Sequence, residues 1–396
     1  MNLSRNIKVS SIHLFFSWFQ VLLPVVVPYW RSLGLTMQEV LELQALFGLA
    51  LALFEVPTGY LADLFGRKAS VVLGGLISGL GFSYLPFAHT YNELLVFEIL
   101  IALGSSCESG AQDAILYESI PEGRSRKEVL GSFGMYGLIA ESFASLLSCF
   151  LVLHSFQWAV WVQACVGWGP CIVSLFLIEP PRDMSVNGGR PPPVVEVLRG
   201  VFVKDPMTRL VFINFVVWGL SSFSVVWLLQ EYWMEVEMPL GYFGLVWAAL
   251  MLVAAVASRL AHKIEHVMGA HRMMGMIAAL PILAYLLMAF AHPVIGVAAG
   301  AFFYVTRGLT YVVYRDAFNW RIPSSYRATA NSLFSLVFRL AFVPIGSALG
   351  YVIDGRGLPS ALVLLAIGFS LCALFILAPL LWRLDKSHVE YIPEAA

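Results

Sequence analysis

Six ionisable side chains stand in stretches of this sequence that are otherwise almost wholly apolar: Glu98, Glu108, Asp113 and Glu141 in the first half, Arg307 and Arg339 in the second. A charge at the depth of a bilayer costs on the order of 2.5 to 3.5 kcal/mol on insertion scales, so it is kept where it pairs, meets a solute or carries a proton. Acids in one half and bases in the other suit a chemistry of charge exchange. Arginines hold an anionic group, and a carboxylate freed from its partner takes up a proton. Tyr304, Arg307, Tyr311 and Arg315 recur at i, i+3, i+7 and i+11, which places them on one helical face. Glu141 shares a face with Ser145 and Ser148, and Asn214, Trp218, Ser221 and Ser222 form a further polar and aromatic stretch. The pattern predicts Arg307, Arg339, Tyr304, Tyr311, Asn214 and Trp218 as substrate contacts and Glu108 or Glu141 as the proton-coupling carboxylate. The competing reading is a permanent buried ion pair that ties helices together. Glu55 and Asp113, nearer the ends of their apolar runs, read as gate residues, and His13 as a hydrogen-bonded packing residue.

The elements that position these residues follow from composition. The chain has 396 residues, 59% apolar and only 12% charged, with a mean hydropathy of +0.79. A soluble domain carries about a quarter charged residues, so the implied surrounding is the lipid bilayer. Apolar stretches of the roughly 20 residues needed to cross it fall at 7–30, 38–62, 69–88, 92–118, 127–153, 156–178, 208–234, 240–261, 273–291, 293–319, 327–353 and 358–382, here called spans 1 to 12. The first is too long for a signal peptide and no small-residue cleavage site follows it. The predicted class is an all-α membrane protein. Residues 1–178 form one six-helix bundle and 208–383 a second. Between them, 179–207 holds a Pro- and Gly-rich linker with a short amphipathic helix over 194–204, and 384–396 is a tail.

Nearly all of the 24 lysines and arginines fall in loops on one side of this arrangement; the other side carries Arg31 and Arg356, and Arg307 and Arg339 lie within spans. That bias predicts both termini and the linker in the cytoplasm, with the chain in the plasma (inner) membrane. The halves also echo each other. Leu61-Ala62-Asp63 after span 2 lines up with Leu260-Ala261-His262 after span 8, and Gly66-Arg67 with Gly269 to Arg272 after an insertion.

The segment Glu55 to Lys68, EVPTGYLADLFGRK, resembles the signature loop of the major facilitator superfamily. Gly59, Asp63, Gly66, Arg67 and Lys68 carry the match, and the six-linker-six plan extends it over the whole chain. The resemblance implies two pseudo-symmetric bundles and a central cavity lined by spans 1, 2, 4, 5, 7, 8, 10 and 11, among which are the four, 4, 5, 10 and 11, that bear the interior charges. It also implies rocker-like alternating access. Gly59 would then lie at a close helix approach, and Asp63 would sit against the N-terminus of span 11 while pairing Arg67. Drug-exporting members often carry an arginine in span 4 and a Gly-Pro motif in span 5; neither is present.

Other functions fit less well. HKIEH, His262 to His266, matches a zinc-peptidase pattern but lies in a short loop between spans, and no phosphate-binding loop or nucleophile elbow occurs. Cys107, Cys149, Cys165, Cys171 and Cys372 lack metal-ligand spacing and read as packing thiols. A net charge of -1 without a basic cluster argues against nucleic acid. The sequence therefore points to a monomeric secondary transporter, not an enzyme, without metal or cofactor. It takes a small organic anion or zwitterion with protons. Proton-driven efflux of drugs or of a secreted metabolite such as a siderophore, and a non-transporting receptor or scaffold, are the alternatives.

Overall fold

A computed structural model describes residues 4–121, 126–180, 205–323 and 326–387. The linker helix expected over 194–204, most of the linker and most of the tail lie outside the described residues. Among those described, eleven helical segments are long and apolar enough to cross a bilayer. The remaining span, 6, is present as two short helices, Phe156–Val166 and Gly169–Ser174. Its break has a packing cause. A Cβ on Gly167 would stand 2.6 Å from the Phe82 ring, and one on Gly169 would overlap Phe16, so bare backbone is what lets span 6 lie against spans 3 and 1. With this broken member the all-helical, twelve-span plan is complete.

Span 1 is also interrupted, between Ser4–Trp18 and Val26–Ser32, near Pro24 and Pro28. Backbone N–H groups freed by a break in the membrane need acceptors. Buried glutamines supply them: Val21 N–H donates to Gln163 Oε1 at 2.6 Å and Val27 N–H to Gln230 Oε1 at 3.0 Å. Gln230 Nε2 in turn donates to the Leu23 carbonyl.

Packing divides the chain into two compact units. The first comprises Met1–Gly188, Trp227–Leu252 and Arg339–Gly355; the second comprises Gly189–Val226, Val253–Phe338 and Arg356–Ala396. Spans 7, 8 and 11 are each shared between the units, so this division follows contacts, whereas the boundaries drawn from sequence follow connectivity.

The internal repeat is visible in backbone conformation. Gly34 and Glu237, after spans 1 and 7, both take positive φ, as do Gly66 and Gly269 before spans 3 and 9. The interval from Gly34 to Gly66 equals that from Glu237 to Gly269. At the first pair the helix closes in the same way: Leu35 N–H donates to the Trp30 carbonyl and Met238 N–H to that of Trp233. The alignment drawn from sequence therefore needs correction. There is no insertion in the second half, and Asp63 corresponds to His266 rather than His262, because the turns and not the Leu-Ala match set the register.

Spans 3 and 4 cross closely in the first unit. A Cβ on Gly74 would come 2.6 Å from the Gly104 carbonyl oxygen, and one on Gly104 would come 2.8 Å from that of Gly74. Ser70 Oγ donates to the Cys107 carbonyl beside them. This is the small-residue contact that membrane helices use in place of hydrophobic drive. Gly104→Ala is expected to cost about 1–3 kcal/mol through overpacking, read as a lower melting temperature in detergent. Gly368→Ala, where nothing lies within 4 Å, should leave melting unchanged; equal melting of the two variants would count against the crossing.

Candidate functional site

Span 2, the helix Met37–Phe65, and span 11, the helix Arg327–Arg356, run antiparallel along a seam inside the first unit. At one end Asp354 accepts from the N–H groups of Met37 (3.0 Å) and Gln38 (2.8 Å), so a carboxylate caps the positive end of span 2. A Cβ on Gly350 would overlap the Gln38 backbone, and one on Gly346 would stand 3.4 Å from the Leu41 carbonyl oxygen. Further along, the stem of Arg339 lies 3.7 Å from where a Gly48 Cβ would be. Leu41, Gly48 and Glu55 are two turns apart on one face of span 2. The seam ends where Arg339 Nη1 donates to Glu55 Oε1 at 2.8 Å. Both side chains are half-buried, 23% and 28% exposed.

The other charges have separate partners. Glu141 is buried and accepts from Trp247 Nε1 at 3.1 Å, where Gly244 brings span 8 onto the Ser145 carbonyl. Glu108 is buried 3.9 Å from His13 Nε2, and Glu98 accepts from Gln44 Nε2 at 3.0 Å. Near Gln230, Arg31 pairs with Glu231 at 3.7 Å. Arg339 thus meets Glu55, which the sequence had suggested only as a gate residue.

In the second unit Arg307, Tyr311 and Arg315 form an exposed face of span 10. The Arg307 guanidinium lies 5.9 Å from the buried Tyr304 ring, and that of Arg315 4.7 Å from Tyr311. Asn214 and Trp218 are fully buried. Asn214 Nδ2 donates to the carbonyls of Leu210 and Ile376, and its Oδ1 accepts from Trp218 Nε1 at 3.0 Å. Asn214 thereby joins span 7 to a π-helical turn, Ala373–Leu377, in span 12.

The loop after span 2 turns at Gly66, with φ of 106°. The N–H groups of Arg67 and Lys68 donate to the two carboxylate oxygens of Glu179, at 2.9 and 2.7 Å, and the Arg67 guanidinium pairs with Glu118. Asp63 is in the last turn of the span 2 helix; its side chain lies outside the described set. Gly59 has nothing within 4 Å of a built Cβ, so among the described residues it is not at a helix crossing, contrary to expectation. Asp113 is exposed on span 4.

The sequence pattern of the Major Facilitator Superfamily matches residues 9–343. The chain belongs to this superfamily. It is therefore an integral membrane protein of a transporter superfamily. It is 28% identical to the methyl viologen resistance protein SmvA of Salmonella typhimurium over 157 residues, 40% of this chain and 29% of that protein's length. Similarity to the uncharacterized MFS-type transporter YxaM of Bacillus subtilis is 23% and covers 90% of both chains. The quinolone resistance protein NorA of Staphylococcus aureus is 22% identical over 58% of its own length. The fold matches solved structures of the nucleoside transporter NupG, with a TM-score of 0.78 at 13% identity over 98% of this chain and 100% of that one. It likewise matches a bacterial homologue of the lysosomal transporter Spinster, with a TM-score of 0.79 at 16% identity over 99% of both chains.

Within this superfamily member, sequence reasoning missed Asp354, Glu179, Gln163, Gln230 and Trp247. A lone Asp at the end of span 11 and a Glu just after span 6 were legible as acids near helix ends. Their partners are other helices' N–H groups, which only the packing reveals. Asp354→Ala is expected to remove a cap worth about 0.5 to 2 kcal/mol. In a background without native cysteines, maleimide labelling of Leu41→Cys, buried on the seam, should then rise several-fold; unchanged labelling would show that Asp354 does not hold the seam closed.

Proposed function

We propose that this chain carries a small organic anion or zwitterion together with protons, and that Arg339 and Glu55 exchange partners to do so. The observation that carries the reading is their 2.8 Å ion pair, half-buried rather than sealed in the packing. An incoming carboxylate or phosphate competes for the Arg339 guanidinium, whose fixed fork of donors suits such groups. Glu55 then faces the bilayer interior without a counter-charge. Protonation neutralises it, so solute and proton bind together, as linkage requires of favourably coupled sites. This role moves from Glu108 or Glu141 to Glu55 because Glu55 is the carboxylate that Arg339 holds. Arg307 with Tyr304 and Tyr311 remains an anion contact on span 10. Asn214 and Trp218 are left to packing. The protein acts as a monomer in the plasma membrane, with both termini cytoplasmic as the loop charges predict.

A second reading, proton-driven export, is favoured by the resistance functions in the names of SmvA and NorA. Proteoliposomes separate the two. Symport predicts that an inward proton gradient drives solute accumulation, and antiport predicts that solute entry needs the opposite gradient. Arg339→Ala removes a charge-assisted bond of about 1.5 to 3 kcal/mol and is expected to lower solute affinity about 10- to 100-fold. Glu55→Gln is expected to keep counterflow exchange while losing gradient-driven accumulation. Accumulation by Glu55→Gln at the wild-type level would refute the assignment, and absence of counterflow for every organic anion, cation and zwitterion tried would favour a receptor role.

A further inference from the structure

The polar cluster between spans 1 and 4 plays no part in that exchange. His13 Nε2 faces Glu108 Oε2 at 3.9 Å, inside the range of an ion pair and outside that of a hydrogen bond. His13 is fully buried and Glu108 is 8% exposed. His13 Nε2 and Glu108 Oε1 each lack a hydrogen-bond partner, and so does Ser10 Oγ, one turn before His13 on a residue with no exposed surface. Buried polar atoms in folded proteins are nearly always satisfied. Three orphans on adjoining faces of two helices therefore mark a place that takes something up.

The walls say what fits. Span 3 contributes Gly74, where a Cβ would stand 2.6 Å from Glu108 Cγ, so the missing side chain seats the carboxylate. Span 4 adds Gln112, whose amide donates to the Ser10 carbonyl, and the Cys107 thiol; the short helix Gly169–Ser174 adds the Cys171 thiol. Ser17 Oγ lies 3.5 Å from the imidazole Nδ1 and also faces the Glu108 carboxyl. Among the described residues no lysine or arginine pairs with Glu108. The ionisable groups are thus one carboxyl, one imidazole and two thiols. Without a proton the carboxyl and imidazole together carry one negative charge, with one proton they are neutral, and with two they are positive. In a dry, low-dielectric setting the neutral state is by far the least costly.

We propose that His13 and Glu108 form a binding site for a single proton, shared between them. The site is separate from the Glu55 and Arg339 pair, and its existence does not depend on that pair's role. It revises the reading of His13 as a packing residue. Proton loss leaves a bare carboxylate between two closed helices, so release accompanies the parting of span 1 from span 4 and the entry of water. Protons held by such a pair belong to both partners, and either ring or carboxyl can carry the charge at a given moment.

Infrared difference spectra of the purified full-length protein, in H2O and D2O at neutral pH, test this directly. Wild type minus Glu108→Gln is expected to contain one of two signatures. Where the carboxyl holds the proton it is the deuterium-sensitive carbonyl stretch of a carboxylic acid. Where the imidazole holds it, imidazolium ring bands appear that His13→Asn also removes. Glu108→Asp keeps the carboxyl and is expected to retain the signature at a shifted frequency, which guards against misfolding of the amide variant. A difference spectrum showing only an ionised carboxylate, with neutral-ring bands for His13, would overturn the proposal. No solute is transported in the measurement, so its outcome is independent of the Glu55→Gln result.

Discussion

The pairing of Arg339 with Glu55 at the inner end of the span 2 and span 11 seam is the constraint on which the first unit depends. An arginine in the middle of span 11 is affordable in lipid only with a counter-charge, and a long side chain reaches one only if its helix comes close. Gly48, Gly346 and Gly350 provide that closeness by leaving bare backbone where the two helices touch. Asp354 fastens the opposite end by capping span 2. The charge at depth, the glycines along the seam and the cap at its end are therefore one solution to a single problem. A seam of this kind is firm but cheaply opened, because its contacts are polar or small rather than interlocked apolar side chains.

The same accounting of polar groups explains the broken first span. A proline-containing first span would leave N–H groups unpaired in hydrocarbon, a cost of several kcal/mol each. Gln163 and Gln230 meet that need from neighbouring helices, so interruptions in one helix are written into the side chains of another. Asn214 plays the reverse part in the second unit. There it donates to the Ile376 carbonyl at the π-helical turn of span 12.

How much of this was legible in the sequence depends on the range of the interaction. Spans, signature loop and family follow from local composition and spacing, and the helices fall where apolar runs predicted them. Span 6 departs from a single helix because Gly167 and Gly169 answer to Phe82 and Phe16, far away in the chain. The buried acids were legible as costly residues, but their partners were not. Glu141 meets an indole, Glu108 an imidazole, and Arg339 a carboxylate on span 2. Periodicity assigns a residue to a face of its own helix; it carries no information on which helix faces it. The repeat shows the same limit, since a chance Leu-Ala match outweighed the turn glycines until backbone angles restored the register.

That restored register separates what the two halves share from what differs between them. Gly66 and Gly269 make the same turn into the next helix, each with positive φ and an extended ψ. After Gly66 come Arg67 and Lys68, with Glu179 on their N–H groups and Glu118 on the Arg67 guanidinium. After Gly269 come Ala270 and His271, whose ring reaches the carbonyl of Leu381 instead. The turn is made in both halves by a glycine of positive φ and extended ψ, so the backbone defines it. In the first half the loop is further tied to the ends of spans 4 and 6 through Glu118 and Glu179. A shared backbone turn thus carries different side-chain ties in the two halves.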